Sequence, residues 1–223
     1  MSAVAKPLHI TVVSDVVCPW CYIGKRHLEA ALAGFAAAHP DAPTPDIEWS
    51  AFQLNPTMPQ SGMDRRTYVA NKFGDNETAI MARMALAGKN AGIDFNFDAI
   101  QRQPNTLGLH AVIAAADTQG QQTAVVERLF QANFLEGVDL TDAPAIISLL
   151  TPLGLRPEVI ADCLDPQGAA QANVASIDAH WRSLQVQGVP LFVFDRQWAV
   201  SGAQPPEALI DAMTHAMSQR AAS

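Results

Sequence analysis

Two cysteines, in the run Cys18-Pro19-Trp20-Cys21, stand where a strand-like segment gives way to a helix, and that junction restricts the fold more than any other feature of the chain. Leu8 to Ser14 (LHITVVS) is a short β-branched run that reads as a buried strand. Helix-start signals follow at once. Cys18 takes the N-cap, and Pro19 takes the first helical position, where a missing N–H costs nothing. Leu28, Leu32 and Phe35 recur at i, i+4 and i+7 to give one buried face, and His39-Pro40 ends the helix. Asp46 to Leu54 (DIEWSAFQL) alternates as a second strand. The first 55 residues therefore predict a βαβ unit with the cysteine pair at its strand-to-helix turn.

Between about Ser61 and Gln171 the pattern turns helical, with segments expected over 64–73, 77–91, 106–118, 122–136, 143–151 and 156–163. Gly74, Gly92, Gly120, Gly137 and Gly154 punctuate them. Val126, Leu129, Phe130, Asn133 and Phe134 form a helical stripe suited to core packing. A helix over 169–185 then leads to Gly188-Val189-Pro190. Leu191 to Phe194 and Trp198 to Val200 read as two strands joined at Asp195-Arg196-Gln197, and Pro205-Pro206 opens a last helix over 206–219. The sum is an α/β chain with the element order of a thioredoxin fold, βαβ…αββα, interrupted by an all-helical insertion. The expected division is 1–60 and 172–223 for the two halves of that fold and 61–171 for the insertion.

Composition narrows the function classes. Hydrophobic residues are 49% of the 223 and charged residues 16%, with no long biased tract, so the chain is globular. Fourteen basic against 22 acidic side chains give a net charge of −8, which repels phosphate backbones and argues against a nucleic-acid partner. No run approaches the roughly 18 apolar residues of a membrane span. Met1 to Pro7 has no apolar core of a secretory signal, so the expected location is the cytoplasm. Three cysteines (Cys18, Cys21 and Cys163) are too few and odd in number for a disulfide framework.

Four chemistries compete for the Cys18/Cys21 pair: a zinc site, inert buried thiols, a regulatory redox switch and redox catalysis. Structural zinc needs four ligands, usually as two separated pairs, and His9, His27, His39, His110, His180 and His215 are scattered without ligand spacing. Redox catalysis fits best. A thiol at a helix N-cap faces unsatisfied N–H groups and the positive end of the helix dipole, both of which stabilise the attacking thiolate. Cys21, one turn on, is placed to attack a mixed disulfide formed at Cys18, which makes Cys18 the nucleophile and Cys21 the resolving cysteine. Trp20 reads as a partly exposed platform for substrate. Lys25 and Arg26 read as a solvated helix face, with added positive potential at the cysteine pair as the alternative, and Asp15 as a turn cap with proton relay as the alternative. Asn105 or Thr106 is expected to cap a helix, with cleft lining as the alternative. His110 is expected to be a satisfied core or surface histidine, and Cys163 to pack as a small hydrophobe. No bound cofactor or metal is expected.

The segments SDVVCPWCYIGKRHLE (14–29), GVPLFVFD (188–195) and SGAQPPE (201–207), with Asn105-Thr106, His110 and LFQANFLEGVDLTD (129–142), resemble the DsbA-like thioredoxin-fold oxidoreductases, specifically the FrnE-type branch. The likeness spans nearly the whole chain in the right order. It implies that the Val189–Pro190 bond is cis and lies against the dithiol, and that Val189 offers backbone groups to an extended substrate by strand addition. Kappa-class glutathione transferases and chromene-carboxylate isomerases are related to this branch. In them the turn matching Gly202-Ala203-Gln204 helps hold glutathione, so these residues are candidate substrate contacts and glutathione a candidate co-substrate. A plain helix-entry turn is the alternative.

The resemblance makes the chain a thiol–disulfide oxidoreductase acting on protein or small-molecule thiols and disulfides through a redox-active disulfide, with the direction of electron flow open. The competing expectations are a glutathione-dependent isomerase or transferase for small aromatic or polyketide-like compounds, and a non-catalytic binding module. Relatives of the isomerase kind usually carry Ser in place of Cys18 and lack the pair.

Overall fold

The computed structural model describes residues 6–117 and 121–221. Strand β1 (His9–Ser14) lies at the centre of a four-stranded sheet ordered β2-β1-β5-β6, with β2 at Asp46–Ala51, β5 at Leu191–Phe194 and β6 at Trp198–Ser201. β2 runs parallel to β1, β5 pairs antiparallel with β1, and β6 pairs antiparallel with β5. In register, Val12 stands between Trp49 and Phe192, so the apolar residues of the central strand meet apolar neighbours on both sides. Only a long crossover can join two parallel strands, and helix α1 (Pro19–Ala38) supplies it. The thioredoxin order expected from the two ends of the chain is present.

The insertion carries α2 (Arg65–Phe73), α3 (Glu77–Asn90), α4 (Leu107–Asp117), α5 (Gln122–Gln131), α6 (Ala143–Leu150) and α7 (Pro157–Leu164). Helix α8 (Ala169–Ser183) returns the chain to the sheet, and α9 (Pro206–Ala221) ends it. Each expected helix is present within a few residues; residues 118 and Gly120, expected at the end of one helix, lie outside the described residues.

Two expectations need correction. The insertion is not all-helical, because β3 (Met63–Asp64) pairs antiparallel with β4 (Arg102–Gln103). Runs of two residues carry no readable alternation. They are held by the close approach of Gly62, where an added Cβ would lie 2.6 Å from the Gln103 carbonyl oxygen. The helix expected over 122–136 also changes character: α5 stops at Gln131 and the chain widens into a π-helical turn over Ala132–Glu136. There the Phe134 carbonyl accepts from Asn96 N at 2.8 Å, and Gly137 closes the turn with φ 66°.

Helices α1 and α9 pack on each other and α9 on β5 and β6, while α4, α5 and α8 pack on β2. The insertion shares one continuous core with the sheet, from Ile10 and Phe192 to Leu129, Phe130 and Ile160. β2 is an edge strand, and the insertion satisfies its free side: Gln122 Oε1 accepts from Trp49 N at 2.6 Å, and Trp49 Nε1 donates to Thr123 Oγ1 at 3.0 Å.

α1 meets the second half of the fold at Gly24. A Cβ there would lie 2.9 Å from Pro190 Cγ and 3.1 Å from Phe192 Cζ. Gly24→Val is expected to destabilise the protein by about 1–3 kcal/mol through overpacking. That holds although glycine itself costs a helix interior about 1 kcal/mol. The check is a lowered urea midpoint at unchanged slope.

Candidate active site

The cysteine pair is positioned by backbone bonds. Cys18 has the extended dihedrals of an N-cap (φ −97°, ψ 110°). Its N–H donates to the Asp15 carbonyl at 3.0 Å, and its carbonyl accepts from Cys21 N at 3.0 Å and Tyr22 N at 3.3 Å. The Cys18 sulfur makes no capping bond; it reaches across to the loop before β5, where Sγ donates to the Val189 carbonyl at 3.6 Å. The Val189–Pro190 peptide is cis. The pair thus meets the loop before β5 although 171 residues separate Cys18 from Val189.

Both cysteines are free thiols and both are buried, Cys18 at 4% exposure and Cys21 at 1%. Burial pushes the Cys21 thiol well above its ordinary value, and the hydrogen bond and charge of Cys18 push it further. The Asp15 backbone N–H and the Ser14 hydroxyl oppose this by hydrogen-bonding the Cys21 sulfur. Cys21 therefore rests as a thiol.

Trp20 is half-buried, with the Arg83 guanidinium from α3 5.9 Å from its ring centroid. Gly202 N donates to the Pro190 carbonyl at 2.8 Å, with Gly202 at φ 81°, a conformation glycine adopts freely. Gln204 N donates to the Gly202 carbonyl at 2.8 Å, and His27 Nδ1 of α1 lies 2.8 Å from the Gln204 carbonyl. The turn Gly202-Ala203-Gln204 thus sits beside Pro190, but the amides of Gly202 and Gln204 are already spent within the protein.

Several residues differ from expectation. Lys25 and Arg26 are not a solvated face: Lys25 is only 3% exposed. Lys25 pairs with Glu29 and, at 2.6 Å, with Glu127 of α5, to which Arg26 also pairs at 2.6 Å. Tyr22 donates to the same carboxylate at 3.0 Å. The reason is that α5 lies directly over the second turn of α1, so these cations clasp the insertion. Burial and the Glu127 charge push the Tyr22 hydroxyl up to about 12. Asp15 does not cap the turn with its side chain; Oδ2 accepts from Leu54 N, beyond β2, at 2.7 Å. His110 is buried but not satisfied, since its Nε2 has no hydrogen-bond partner and lies 3.4 Å from Asp15 Oδ1.

Asn105 does cap α4, its Oδ1 accepting from Leu107 N at 3.0 Å, and it also ties the insertion to Gln53 and Met58. Cys163 is buried, with its thiol pushed up by that burial. Sequence reasoning missed Glu127, Ser14 and Arg83. Glu127 left one readable signal, an acid flanked by the apolar stripe of α5, with the Lys25-Arg26 pair elsewhere in the chain lacking a partner.

Among the described residues no group of three or more His, Cys, Asp or Glu is arranged to hold a metal ion. Likewise no helix among them is long and apolar enough to cross a membrane.

A strand-to-helix dithiol facing a cis-proline across a β2-β1-β5-β6 sheet is a thioredoxin-type redox arrangement. The profile of the DSBA-like thioredoxin domain matches residues 9–214, and the chain belongs to that family of DsbA-like thiol–disulfide oxidoreductases. Among solved structures, a probable DsbA oxidoreductase from Streptomyces coelicolor is 26% identical, with 95% of this chain and 90% of that one covered and a TM-score of 0.83. A 2-hydroxychromene-2-carboxylate isomerase shares the fold at 18% identity, covering 96% of this chain and 98% of that one, with a TM-score of 0.66. The cytosolic disulfide reductase DsbM from Pseudomonas aeruginosa, solved with GSH, shares it at 17% identity, covering 96% and 98%, with a TM-score of 0.60.

The Glu127 clasp generates a test. Burial pushes the Glu127 carboxyl up, but the hydrogen bonds and charges of Lys25 and then Arg26 outweigh it and hold the carboxyl below its ordinary value. A carboxylate depressed in the folded state contributes stability above its unfolded pKa, and that contribution is lost as pH falls through the folded value. Glu127→Gln is therefore expected to flatten the loss of stability below about pH 4. Glu127→Ala, which leaves Lys25 buried with only half-exposed Glu29, should cost about 3 kcal/mol at pH 7. Urea titrations across pH check both.

Proposed function

We propose that this protein exchanges disulfides with protein or small-molecule thiols through Cys18 and Cys21, with Cys18 attacking and Cys21 resolving. The observation that carries the reading is the 3.6 Å contact between Cys18 Sγ and the Val189 carbonyl at the cis Val189–Pro190 bond. It brings the helix N-cap sulfur to the backbone just before β5, where an extended substrate would add as a strand. Cys21 lies one turn deeper, held as a thiol until it is needed.

In this reading the substrate disulfide enters between Trp20 and Val189. The Cys18 thiolate attacks one sulfur and the other leaves as a thiolate. Cys21 then attacks Cys18, the Cys18–Cys21 disulfide forms, and the second substrate thiol leaves. Pro190, lacking an N–H, puts no donor against the sulfurs, while Gly202, Ala203 and Gln204 hold its loop and edge the groove. The intact cysteine pair supports exchange over the isomerase reading.

A thiol such as glutathione returns the pair to the dithiol, and the protein works in the cytoplasm in the reducing direction. The support is chemical: a glutathione-buffered interior keeps thiols reduced, and the fold is shared with a cytosolic reductase crystallised with GSH.

Mixing the reduced protein with oxidised glutathione, followed by mass spectrometry of acid-quenched samples, tests the assignment. Cys21→Ser is expected to accumulate one glutathione adduct on Cys18, and Cys18→Ser to lose exchange to the uncatalysed background. Undiminished exchange by Cys18→Ser, or an adduct on Cys21 in wild type, would sink it. Equilibration against glutathione redox buffers then gives the direction.

A further inference from the structure

The reacting sulfur lies between two lips of unlike character. On one, the amides of Gly202 and Gln204 are spent inside the protein, on the Pro190 and Gly202 carbonyls, and His27 is engaged on the Gln204 carbonyl. Behind them α9 carries Glu207 in its first turn, which opposes an anion at that helix end. This lip is poorly built to receive a negative charge.

The other lip is α3, which packs on α1. Met84 is buried there at 4% exposure, and Arg83, the residue before it, is exposed with its guanidinium 5.9 Å from the Trp20 ring centroid. Arg26, Arg128, Arg182 and Arg220 each end on a carboxylate, as a chain with 22 acids against 14 bases leads one to expect. Among the described residues Arg83 makes no ion pair; it meets the Trp20 ring instead. The first turn of α1 holds no acid to compete for it. A guanidinium over an aromatic face keeps its N–H edges free, and those edges fit a carboxylate in a two-point bond. An unpaired cation therefore stands over the tryptophan between the two cysteines, in a protein whose net charge of −8 otherwise repels anions.

Resting on the exchange reading above, we infer that Arg83 is a specificity-determining residue which selects disulfides carrying a carboxylate beside the reacting sulfur. The carboxylate accepts N–H bonds from the guanidinium while Trp20 flanks the disulfide and Cys18 attacks it. Two sources share this chemistry: the carboxylates of oxidised glutathione, and an Asp or Glu next to a cysteine in a polypeptide. Arg83 acts on encounter and orientation, so it changes attack on anionic disulfides and leaves the sulfur exchange itself alone. The insertion supplies this residue, so the lobe that packs on α1 also sorts what reaches it.

Cys21→Ser, which stops at the Cys18 adduct, lets rapid-quench mass spectrometry of the full chain read attack alone at pH 7. The probes are oxidised glutathione, neutral hydroxyethyl disulfide, and short symmetrical peptide disulfides with either Asp or Lys beside the cysteine. In that background Arg83→Gln is expected to lower the glutathione-to-hydroxyethyl and Asp-to-Lys rate ratios by about threefold or more. The rate with hydroxyethyl disulfide should stay within about twofold. Arg83→Glu should lower both ratios further. Lys89→Gln, which removes the same charge from an exposed site further along α3, should leave both unchanged. Salt at about 0.5 M should bring the parent's ratios toward those of Arg83→Gln. A fall confined to the glutathione ratio assigns the carboxylate to that tripeptide, a fall confined to the peptide ratio assigns it to acid-flanked cysteines, and a fall in both assigns it to either. Unchanged ratios in Arg83→Gln, an equal fall in Lys89→Gln, or hydroxyethyl disulfide slowed as much as glutathione would each overturn the inference while leaving exchange intact. No Cys18 adduct with any of the probes would instead overturn the exchange reading, and this one with it.

Discussion

Everything at this site depends on the contact between the first two turns of α1 and the Val189–Pro190 loop. The two halves of the thioredoxin fold are far apart in sequence, and their meeting is a packing problem solved at Gly24. That residue has no side chain to hold Pro190 and Phe192 away. Because α1 comes this close, Cys18 Sγ reaches the Val189 carbonyl, and because Pro190 O accepts from Gly202 N, the loop cannot drift from the sheet. The interior transmits such constraints because it is close-packed, so a small displacement at Gly24 is felt at the sulfur.

The insertion holds the same helix from the other side. Lys25 and Arg26 leave α1 one turn after Cys21 and end on Glu127 of α5. A buried ion pair of this kind adds little net stability over an apolar contact of equal size, but it is costly to break on one side only. It therefore serves better as a specifier of position than as a source of stability, fixing where α5 sits on α1. Tyr22, stacked on Phe130 with centroids 4.9 Å apart and bonded to Glu127, completes the same junction.

Most of the fold was legible in the chain because its signals are local. The β-branched run before Cys18, Pro19 at the first helical position and the glycines between helices each encode a boundary within a few residues. What was not legible is relational. β3 and β4 are two residues each and exist only because Gly62 lets two backbones approach. Lys25 looked like any exposed lysine, since nothing in its own turn announces an acid 102 positions away. The same holds for His110, which shows no metal-ligand spacing and no neighbouring acid; Asp15 reaches it only after the sheet and the insertion have closed on each other.

Cys18 and Cys21 and their expected order of attack were plain in the sequence, but the difference between their surroundings was not. Position in the motif separates nucleophile from resolving thiol by rank along the helix. The structure separates them by environment: Cys18 is set against a carbonyl at the groove, while Cys21 is sealed behind it among Ser14, Asp15 and the core. A sealed thiol is protected from stray oxidants, yet it must be deprotonated without bulk water at its side. By bringing α4 against β2, the insertion sets His110 Nε2 3.4 Å from Asp15 Oδ1, on the turn that leads from β1 to Cys18.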